Sequence, residues 1–474
     1  MTGLMILAAV AAVAPQTEAD TSVTVLTLED AIRIALSENA AVRVADKEIE
    51  RSEYAKKGTY AALFPQIDGS GSYQRTIKKQ VMYMDGGFDV AGMMKPIVDP
   101  LYKQHPDLPN PFDMAAQSSG ESSNEGISVG RWNTWSAGIS ASMPLVNAQL
   151  WKSLKISGED VELAVEKARG SRLETVTQIK NTYYAILLAK ESFKVYKEVY
   201  ENARQNCEQT QKLYNSGKAS ELDYTRAKTT LANAIPNVYD AENAVIIALW
   251  QLKAVMGVNL DMNIDIAGSL MDYSENMGGQ IRDFNDLSLV DNSTLKQLAI
   301  QAEELSDNVK LQQYAYIPSL ALAFSYSLNA MTNDFKFSEY KWSPYSFVGL
   351  SLNIPIFSGG KRLNNVRQAR VQATELEIQR ENTERQLRVA IRQDLNTMET
   401  AVKNYTYSQY SVETAKKAYD IAAKSYAVGR STLTDLNQAQ LALVQSQLTV
   451  SQAVYSFLTA KADLEQMLGA DFIE

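Results

Sequence analysis

Four stretches of the chain alternate apolar and small polar residues with a period of two. They cover residues 66–77, 135–143, 320–329 and 347–356. A period of two gives a β-strand one apolar face and one polar face. The polar positions are small and rich in hydroxyl groups, and the lengths approach the ~9–11 residues of a tilted membrane strand. The pattern therefore predicts four transmembrane strands, with a half-buried sheet of a soluble domain as the alternative.

Four strands are too few to close a barrel. Bacterial membrane barrels begin at about eight strands, and a barrel of that size is filled by its own side chains. A conducting pore therefore needs at least three chains, giving 3 × 4 = 12 strands from the four stretches in each chain. The geometry predicts an oligomer, and a trimer is the smallest one that conducts.

Most of the remaining chain shows the apolar spacing of long helices. Residues 148–214 contain two glycines and no proline, and as one helix they would reach roughly 100 Å at about 1.5 Å per residue. Residues 361–426 are their counterpart. Shorter helices are predicted for residues 28–63 and 221–256, each of roughly 54 Å. Two short helices end to end match one long helix, which predicts a tube wall of antiparallel helices.

The chain is a tandem duplication. Residues 138–144 resemble residues 349–355 at an offset of 211, and residues 214–217 resemble residues 426–429 at an offset of 212. Each repeat contains a helix, a strand pair, a long helix and a returning helix. The predicted organisation is a first repeat at residues 26–257, an inter-repeat equatorial linker at 258–286 and a second repeat at 287–470.

The first repeat carries an insertion. Asn39 and Pro65 match Asn292 and Pro318 at an offset of 253, which exceeds the offset of 211 found later in the chain by 42 residues. The additional residues fall at about 75–131, a stretch rich in Gly, Pro, Ser and Met. This composition predicts a long surface loop.

Composition argues against nucleic-acid binding and against most enzymes. The net charge is −9, whereas phosphate contacts need a basic surface. The chain has one cysteine, Cys207, and one histidine, His105, which exclude an intrachain disulfide, a Cys-based metal cluster and a His-ligated zinc pair. His105 is expected to be a solvated loop residue. The sequence contains no nucleophile–base set, phosphate loop or metal spacing, so we expect no enzymatic activity, no metal and no cofactor.

The N-terminus has the character of a signal peptide. Residues 4–14 form an apolar run that is too short to cross a bilayer but has the length of a signal-peptide core. Residues 1–14 are therefore assigned as a signal-peptide-like segment, with an ordinary buried segment as the alternative. No Lys or Arg precedes Arg33, so we expect the natural start to lie upstream. No later stretch approaches ~20 apolar residues, and a membrane crossing would have to use strands.

The ordered set of these features resembles the TolC-like outer-membrane efflux proteins, the outer membrane factors of tripartite efflux or type I secretion systems. The resemblance covers residues 26–470 and is carried by the prolines Pro144 and Pro355 and by the Tyr-x-x-Gly…Asp…Ala turns at Tyr214 and Tyr426. It implies a mainly α fold with a membrane β-barrel portion, in which a homotrimer closes a 12-strand barrel above a long periplasmic helical barrel.

The same resemblance implies a location and partners. The chain would lie in the outer-membrane lipid of a Gram-negative bacterium, with a long periplasmic extension. It would act as a passive exit duct that receives substrate from an inner-membrane pump and a periplasmic adaptor.

The resemblance also assigns roles to residues at the helical turns. Gly217 and Gly429 would form the periplasmic tip and, together with Asp223, a surface on which the adaptor docks. Asp435 falls at the first acidic position of the aperture gate, whereas Gln438 replaces the second acid, so we expect only modest cation selectivity. The prolines assigned to strand ends are Pro65, Pro144, Pro318 and Pro355.

Each of these residues also fits a purely structural role. Ser220-x-x-Asp223 and Thr432-x-x-Asp435 match a capping box at a helix start, so capping alone is the alternative for both acids. The two turn glycines fit left-handed residues that end a helix. For the whole chain, the alternative function is a periplasmic coiled-coil structural or adaptor protein without a barrel.

Overall fold

The computed structural model describes residues 23–82, 90–104, 107, 127–275, 277–281 and 288–469. The signal-peptide-like segment at 1–14 and His105 lie outside the described residues. The chain divides into two compact units. We call them the helical unit, with residues 1–57, 152–312 and 361–474, and the strand unit, with residues 58–151 and 313–360.

Helices occupy most of the described residues, which confirms the predicted mainly α class. The first half of the chain contains β1 (Thr24–Leu26), α1 (Leu28–Glu38), α2 (Ala40–Ala61), β2 (Gln66–Arg75), β3 (Gln80–Met82), α3 (Val90–Tyr102), β4 (Ile127–Val129), β5 (Asn133–Val146), α4 (Ala148–Asn215) and α5 (Glu221–Met256). The second half contains β6 (Ile264–Ile266), α6 (Met277–Gln280), α7 (Ser293–Tyr314), β7 (Ser319–Thr332), β8 (Ser343–Asn353), α8 (Lys361–Ala427) and α9 (Leu433–Leu468).

The strand unit is built on an antiparallel sheet of four strands in the order β2-β5-β7-β8. Its register places Trp135 opposite Tyr73 on one side and opposite Ala330 on the other, which keeps the predicted apolar positions on one face. On the other face, the hydroxyl oxygens of Ser72 and Ser136 lie 2.7 Å apart. The predicted alternation therefore extends across the sheet, and β2 and β8 are its edges among the described residues.

The four prolines occupy different positions at the strand ends. Pro65 and Pro318 directly precede β2 and β7. Pro144 lies inside β5, at a bulge where the register with β7 shifts. Pro355 follows the last residue of β8, Asn353, by two positions. Proline has no backbone N–H for the ladder, so it is tolerated at a strand start or at a bulge.

The residues assigned to a long surface loop contain secondary structure. β3 and β4 pair with each other as a separate antiparallel ribbon, in which Val81 lies opposite Ser128. α3 lies between these strands in the chain and contains Pro96 and Pro100. Proline content favoured a loop, but the φ angle of proline lies close to the helical value. A proline-containing apolar segment can therefore still form a helix.

The long helices follow the sequence prediction closely. α4 contains 68 residues and α8 contains 67 residues, and each ends one residue beyond the expected position. α5 has the predicted bounds. Among the described helices, none carries an apolar stretch long enough to cross a membrane.

The prediction of one helix over residues 28–63 is wrong, because Asn39 divides it into α1 and α2. Asn39 has the non-helical angles φ −59° and ψ 130°. Its side-chain oxygen accepts a hydrogen bond from the Ala41 N–H at 2.7 Å, and its side-chain amide donates to the carbonyl oxygen of Val255 at 2.6 Å. The side chain satisfies an amide that the first turn of α2 leaves unpaired, and this stabilises the break.

The second repeat makes the equivalent contacts at the start of α7. The side-chain oxygen of Asn292 accepts from the Leu295 N–H at 2.9 Å, and its amide donates to the carbonyl oxygen of Met467 at 2.8 Å. Asn292 lies 253 residues beyond Asn39, and Met467 lies 212 residues beyond Val255. The duplication is therefore visible in the tertiary contacts as well as in the sequence.

The main apolar core of the helical unit lies beside these joints. It contains the fully buried side chains of Ile179 and Ile186 of α4, Met398 of α8 and Phe457 of α9. The linker at residues 258–286 contributes β6, which pairs in parallel with β1. Ile264, Ile266, Leu270 and Met277 of this segment are buried in the core.

Candidate functional site

The two turns that join each long helix to its returning helix have the same backbone conformation. Gly217 follows α4 with φ +70°, and Gly429 follows α8 with φ +75°. This left-handed region favours glycine, which confirms that each glycine ends a helix. A Cβ atom on either glycine would meet no described atom within 4 Å, so the surface above both turns is open.

Each turn is followed by a side-chain cap on the next helix. The Asp223 N–H donates to Ser220 Oγ at 3.1 Å, and the Ser220 hydroxyl donates to Asp223 Oδ2 at 2.7 Å. The Asp435 N–H donates to Thr432 Oγ1 at 3.2 Å. In return, the backbone N–H and the hydroxyl of Thr432 donate to Asp435 Oδ2 at 3.0 and 2.7 Å. The predicted capping box is confirmed for Thr432 and Asp435, whereas at Ser220 and Asp223 only the side-chain cap on the Asp223 N–H and the hydroxyl bond back to Asp223 form.

The cap also sets the charge of Asp435. Hydrogen bonds from the Thr432 side chain and backbone hold the pKa of Asp435 below its ordinary value. Asp435 and Gln438 are both exposed, and a spacing of three places them on one face of α9. This face presents one carboxylate and one neutral amide. The aperture role of the pair stays a prediction.

A small apolar core joins four helices behind the turns. Its buried members are Cys207, Ala227, Tyr426, Leu433 and Leu436.

Within this core, the fully buried Thr210 makes a contact that crosses from α4 to α8. Its Oγ1 lies 2.6 Å from the hydroxyl oxygen of Tyr426 and donates to the carbonyl oxygen of Asn206 at 2.7 Å. A threonine hydroxyl has one hydrogen, so Tyr426 is the donor in its pair with Thr210. The sequence pattern marks Tyr426 only as part of the turn and carries no signal for Thr210.

The two turns differ in how they use their tyrosines. Tyr426 is buried, whereas Tyr214 is exposed and stacks on Tyr224 of α5 with ring centroids 5.5 Å apart. The Lys228 ammonium lies 5.9 Å from the centre of the Tyr224 ring. The first turn therefore presents an aromatic and basic surface. The second turn instead contributes Tyr426 to the buried contact with Thr210.

The α8–α9 pair carries a polar groove. A cavity of ≈ 550 Å³ is lined mainly by amide and hydroxyl side chains, including Asn396, Thr400, Asn404, Gln445, Thr449 and Gln452. These groups exchange hydrogen bonds readily with water, which suits a wetted wall. In the part of the chain that the structure describes, no group of three or more His, Cys, Asp and Glu residues could hold a metal ion.

Curated relatives of the chain are outer-membrane and secretion proteins. The chain is 20% identical over 347 residues to the outer membrane protein TolC of Vibrio cholerae, covering 70% of this chain and 76% of that protein. It is 22% identical over 342 residues to the alkaline protease secretion protein AprF of Pseudomonas aeruginosa, covering 71% of this chain and 70% of AprF.

Solved structures of outer membrane channels share the fold. The CmeC channel of Campylobacter jejuni gives a TM-score of 0.67 at 18% identity, covering 93% of this chain and 85% of CmeC. The open state of the MtrE channel of Neisseria gonorrhoeae gives a TM-score of 0.66 at 16% identity, covering 97% of this chain and 95% of MtrE.

The family described as outer membrane efflux protein matches residues 106–258 and 286–470. These segments correspond to the later part of the first repeat and to the second repeat. The match confirms the predicted family and the outer-membrane location. The chain belongs to the outer membrane efflux protein family.

Proposed function

We propose that the chain is one subunit of a passive exit duct in the outer membrane. Three copies, each with the four-stranded sheet, would close a barrel of 3 × 4 = 12 strands. The long helices would line the periplasmic part of the duct, and an inner-membrane pump and a periplasmic adaptor would deliver the substrate. The names of relatives support this proposal, since AprF is a protease secretion protein and CmeC is an outer membrane channel.

The observation that carries the proposal is the exposed apolar face of the sheet. Val348 and Leu350 of β8 are 71% and 66% exposed, and Ile139 of β5 is 52% exposed. Apolar surface in water costs about 25 cal/mol per Å², whereas lipid solvates the same surface without that cost. A periplasmic scaffold or adaptor without a barrel would leave this face in water, so the alternative function does not account for it.

The edges of the sheet support an oligomer. β2 and β8 each have one hydrogen-bonded neighbour among the described strands. In a bilayer, unpaired backbone groups are strongly unfavourable, so a spanning sheet must close. Pairing β8 of one copy with β2 of the next satisfies both edges, and three copies are the fewest that leave an open lumen.

The helical turns supply the proposed gate and docking surface. Symmetry would bring copies of Asp435 towards one axis, where their charge favours cations, and the neutral Gln438 would keep that preference modest. The open surface above Gly217 and Gly429 is where an adaptor could reach the returning helices, with Asp223 beside the first turn.

Conductance in planar lipid bilayers tests the proposal. We expect stepwise ion conductance from the purified protein, because a closed 12-strand barrel leaves a water-filled lumen. Leu350→Asp should lower insertion, because a charged side chain that faces lipid is destabilising, by less for Asp than the about 2–4 kcal/mol of Arg or Lys at the midplane. Ser351→Asp is the matched control, because it places the same charge on the polar face of the same strand. No conductance from the folded protein, or equal conductance from both variants, would refute the proposal.

A further inference from the structure

Aromatic side chains form a continuous row at one end of the four-stranded sheet. The ring centroids of Tyr73 and Trp135 lie 4.3 Å apart, and those of Trp135 and Phe337 lie 4.9 Å apart. The row continues from Phe337 to Tyr340 at 4.9 Å and from Tyr73 to Phe335 at 6.3 Å. It therefore joins the end of β2 and the start of β5 to the connection between β7 and β8.

The row lies on the same face of the sheet as the exposed apolar residues. Tyr73 and Trp135 are opposite each other in the β2–β5 ladder, and Trp135 precedes Ile139 by four positions on β5. Even spacings along a strand keep side chains on one face. The face thus passes from aliphatic to aromatic side chains towards this end, which is the order found where a membrane barrel meets the lipid–water interface.

The connection between β7 and β8 is tied to the strands through one carbonyl group. The carbonyl oxygen of Asp334 accepts hydrogen bonds from Asn133 Nδ2 at 3.2 Å, from Thr332 Oγ1 at 2.9 Å and from the Tyr340 hydroxyl at 2.8 Å. Asn133 is only 1% exposed. Residues 335–337 follow this carbonyl directly in the chain, so the hydrogen bonds position two rings of the row and the lysine between them.

Basic side chains surround the aromatic row. The guanidinium carbon of Arg75 lies 5.9 Å from the centre of the Phe335 ring, and the Lys79 ammonium lies 4.7 Å from the centre of the Trp132 ring. The side chain of Lys336 is 66% exposed. Further exposed bases in the same segments are Lys78, Arg131 and Lys341. We call Arg75, Lys79, Lys336 and the row of rings the basic–aromatic patch.

Positive charge is concentrated around this patch. Residues 75–79, 131 and 333–341 contain six basic and two acidic residues, whereas the net charge of the whole chain is −9. Among the described residues, Lys336 pairs with Glu339 at 3.9 Å, and the two side chains are 66% and 69% exposed. An exposed ion pair contributes little. The patch therefore keeps a net positive charge that can bind an external anion.

We infer that the basic–aromatic patch binds a phosphorylated glycolipid of the outer leaflet. The acyl chains would lie on the aliphatic part of the face, the sugar headgroup at the rings, and the phosphates at Arg75 and Lys336. Guanidinium and ammonium groups are the side chains that bind phosphate most strongly in proteins. A soluble anion would use the bases but would need neither the rings nor the apolar face.

The inference rests on the proposed function, because the apolar face must lie in lipid. The helices α2, α4, α7 and α8 connect in the chain to the opposite end of the four strands. With these helices in the periplasm, the basic–aromatic patch lies at the outer leaflet. Binding of a lipid can nevertheless be measured in detergent without any conductance.

The competing occupant of the bases is the insertion of the first repeat. Between β3 and β4, residues 83–126 contain seven acidic and two basic residues. If these acids neutralised Arg75 and Lys336, removing the two bases would leave the affinity for a phosphorylated lipid unchanged. The effect of removing the bases therefore distinguishes the two occupants.

Binding of lipid A, an acylated disaccharide that carries phosphate, to the purified full chain in detergent micelles tests the inference. Arg75→Gln combined with Lys336→Gln should raise the dissociation constant for lipid A roughly tenfold or more. Lys57→Gln is the matched control, because Lys57 lies 4.9 Å from the centre of the Tyr54 ring of α2 and makes the same kind of contact away from the patch. An unchanged constant in the double variant, or an equal rise in the control, would overturn the inference.

A charge-conserving variant distinguishes binding from a change in structure. Arg75→Lys combined with Lys336→Arg keeps a positive charge at both positions, so its dissociation constant should lie closer to wild type than to the glutamine variant. Both double variants should give the wild-type yield of assembled protein. A loss of affinity as large as that of the glutamine variant would contradict the assignment of these charges to phosphate.

The choice of ligand separates phosphate recognition from contact with acyl chains. Lipid A without its phosphates should bind wild type more weakly than intact lipid A, whereas the glutamine variant should bind the two lipids alike. Inorganic phosphate at the same phosphate concentration should not displace lipid A. Equal binding of both lipids to wild type, or displacement by inorganic phosphate, would refute a lipid site. Lipid A binding without conductance would count against the duct and support the patch.

Discussion

At the scale of single residues, the capping acids carry two roles that can be separated. Asp223 and Asp435 each accept a hydrogen bond from a capping hydroxyl at 2.7 Å. Asp435 also accepts from the Thr432 backbone N–H at 3.0 Å, and only Asp435 is assigned to the proposed aperture. Asparagine keeps a side-chain oxygen as acceptor for the cap and removes the charge. Matched Asp→Asn changes at the two positions therefore distinguish a gate from a cap.

We predict that Asp435→Asn lowers cation preference and that Asp223→Asn leaves it unchanged. The measurement is the reversal potential in a bilayer under a salt gradient. Asparagine keeps the acceptor oxygen at both caps, so neither variant should lose more than about 1 kcal/mol of cap stability, and the two thermal midpoints should stay close. Equal reversal potentials in both variants would contradict a gate at Asp435.

A carboxyl group of α8 shows the opposite shift. Burial, and then the charge of Asp463, raises the pKa of Asp394 from 3.8 to about 6. The folded state therefore disfavours the ionised form, and its contribution to stability falls as pH rises from 3.8 to about 6. Asp394→Asn should raise the thermal midpoint at pH values above about 6 and change it little at pH values below 3.8. Glu375→Gln, on the exposed surface of α8, is the control. An equal effect of Asp394→Asn at both pH values would disprove the assignment.

At the scale of elements, the joints between helices are held more tightly than the turns. Gly257 ends α5 with φ +75°, and a Cβ atom there would lie 2.5 Å from the carbonyl oxygen of Glu38. Gly217 has a similar φ of +70°, but a Cβ atom there would meet no described atom within 4 Å. Both positions need glycine for the backbone, and only Gly257 also needs it for space.

We predict that Gly257→Ala destabilises the protein more than Gly217→Ala. The change at Gly217 should cost only the left-handed strain of about 1–2 kcal/mol. The change at Gly257 should cost more, because the backbone at Glu38 must also move. Denaturant unfolding of the two variants measures the difference. Equal losses of stability in the two variants would show that the backbone at Glu38 moves without a cost in free energy.

At the scale of the whole molecule, the proposed duct needs a contact that holds its helices in the resting state. The hydrogen bond from Tyr426 to Thr210 is 2.6 Å long and connects α8 to α4 behind the turns. Movement of the α8–α9 pair away from α4 would break this bond and expose the small core around it.

We predict that Tyr426→Phe increases the resting conductance without lowering the yield of assembled protein. The change removes the hydrogen bond that Thr210 Oγ1 accepts and leaves its donation to the Asn206 carbonyl in place, so the resting state should lose about 1 kcal/mol. Tyr410→Phe, at an exposed position of the same helix, is the control and should behave as wild type. Wild-type resting conductance in Tyr426→Phe would rule out this contact as the restraint.

The sequence by itself determined the elements whose signals are local. The bounds of α4, α5 and α8 agree with the prediction to within one residue. Their ends are set by glycine turns and capping residues that act over three or four positions. The four strands were visible too, because a pleated strand with one apolar face imposes a period of two, but their bounds differ from the prediction by up to four residues. The duplication also aligned Asn39 with Asn292, although it did not indicate the hydrogen bonds that both side chains make.

Only the tertiary structure decided which distant residues meet. The break at Asn39 depends on the carbonyl of Val255, 216 residues away, and the contact of Thr210 with Tyr426 spans another 216 residues. Asp307 is buried because α4 covers it, whereas the matched residue of α2, Tyr54, is exposed. Contacts of this kind depend on how helices pack, and they leave no periodic pattern in the sequence of either partner. Periodicity therefore predicted the parts, and packing decided the joints and contacts between them.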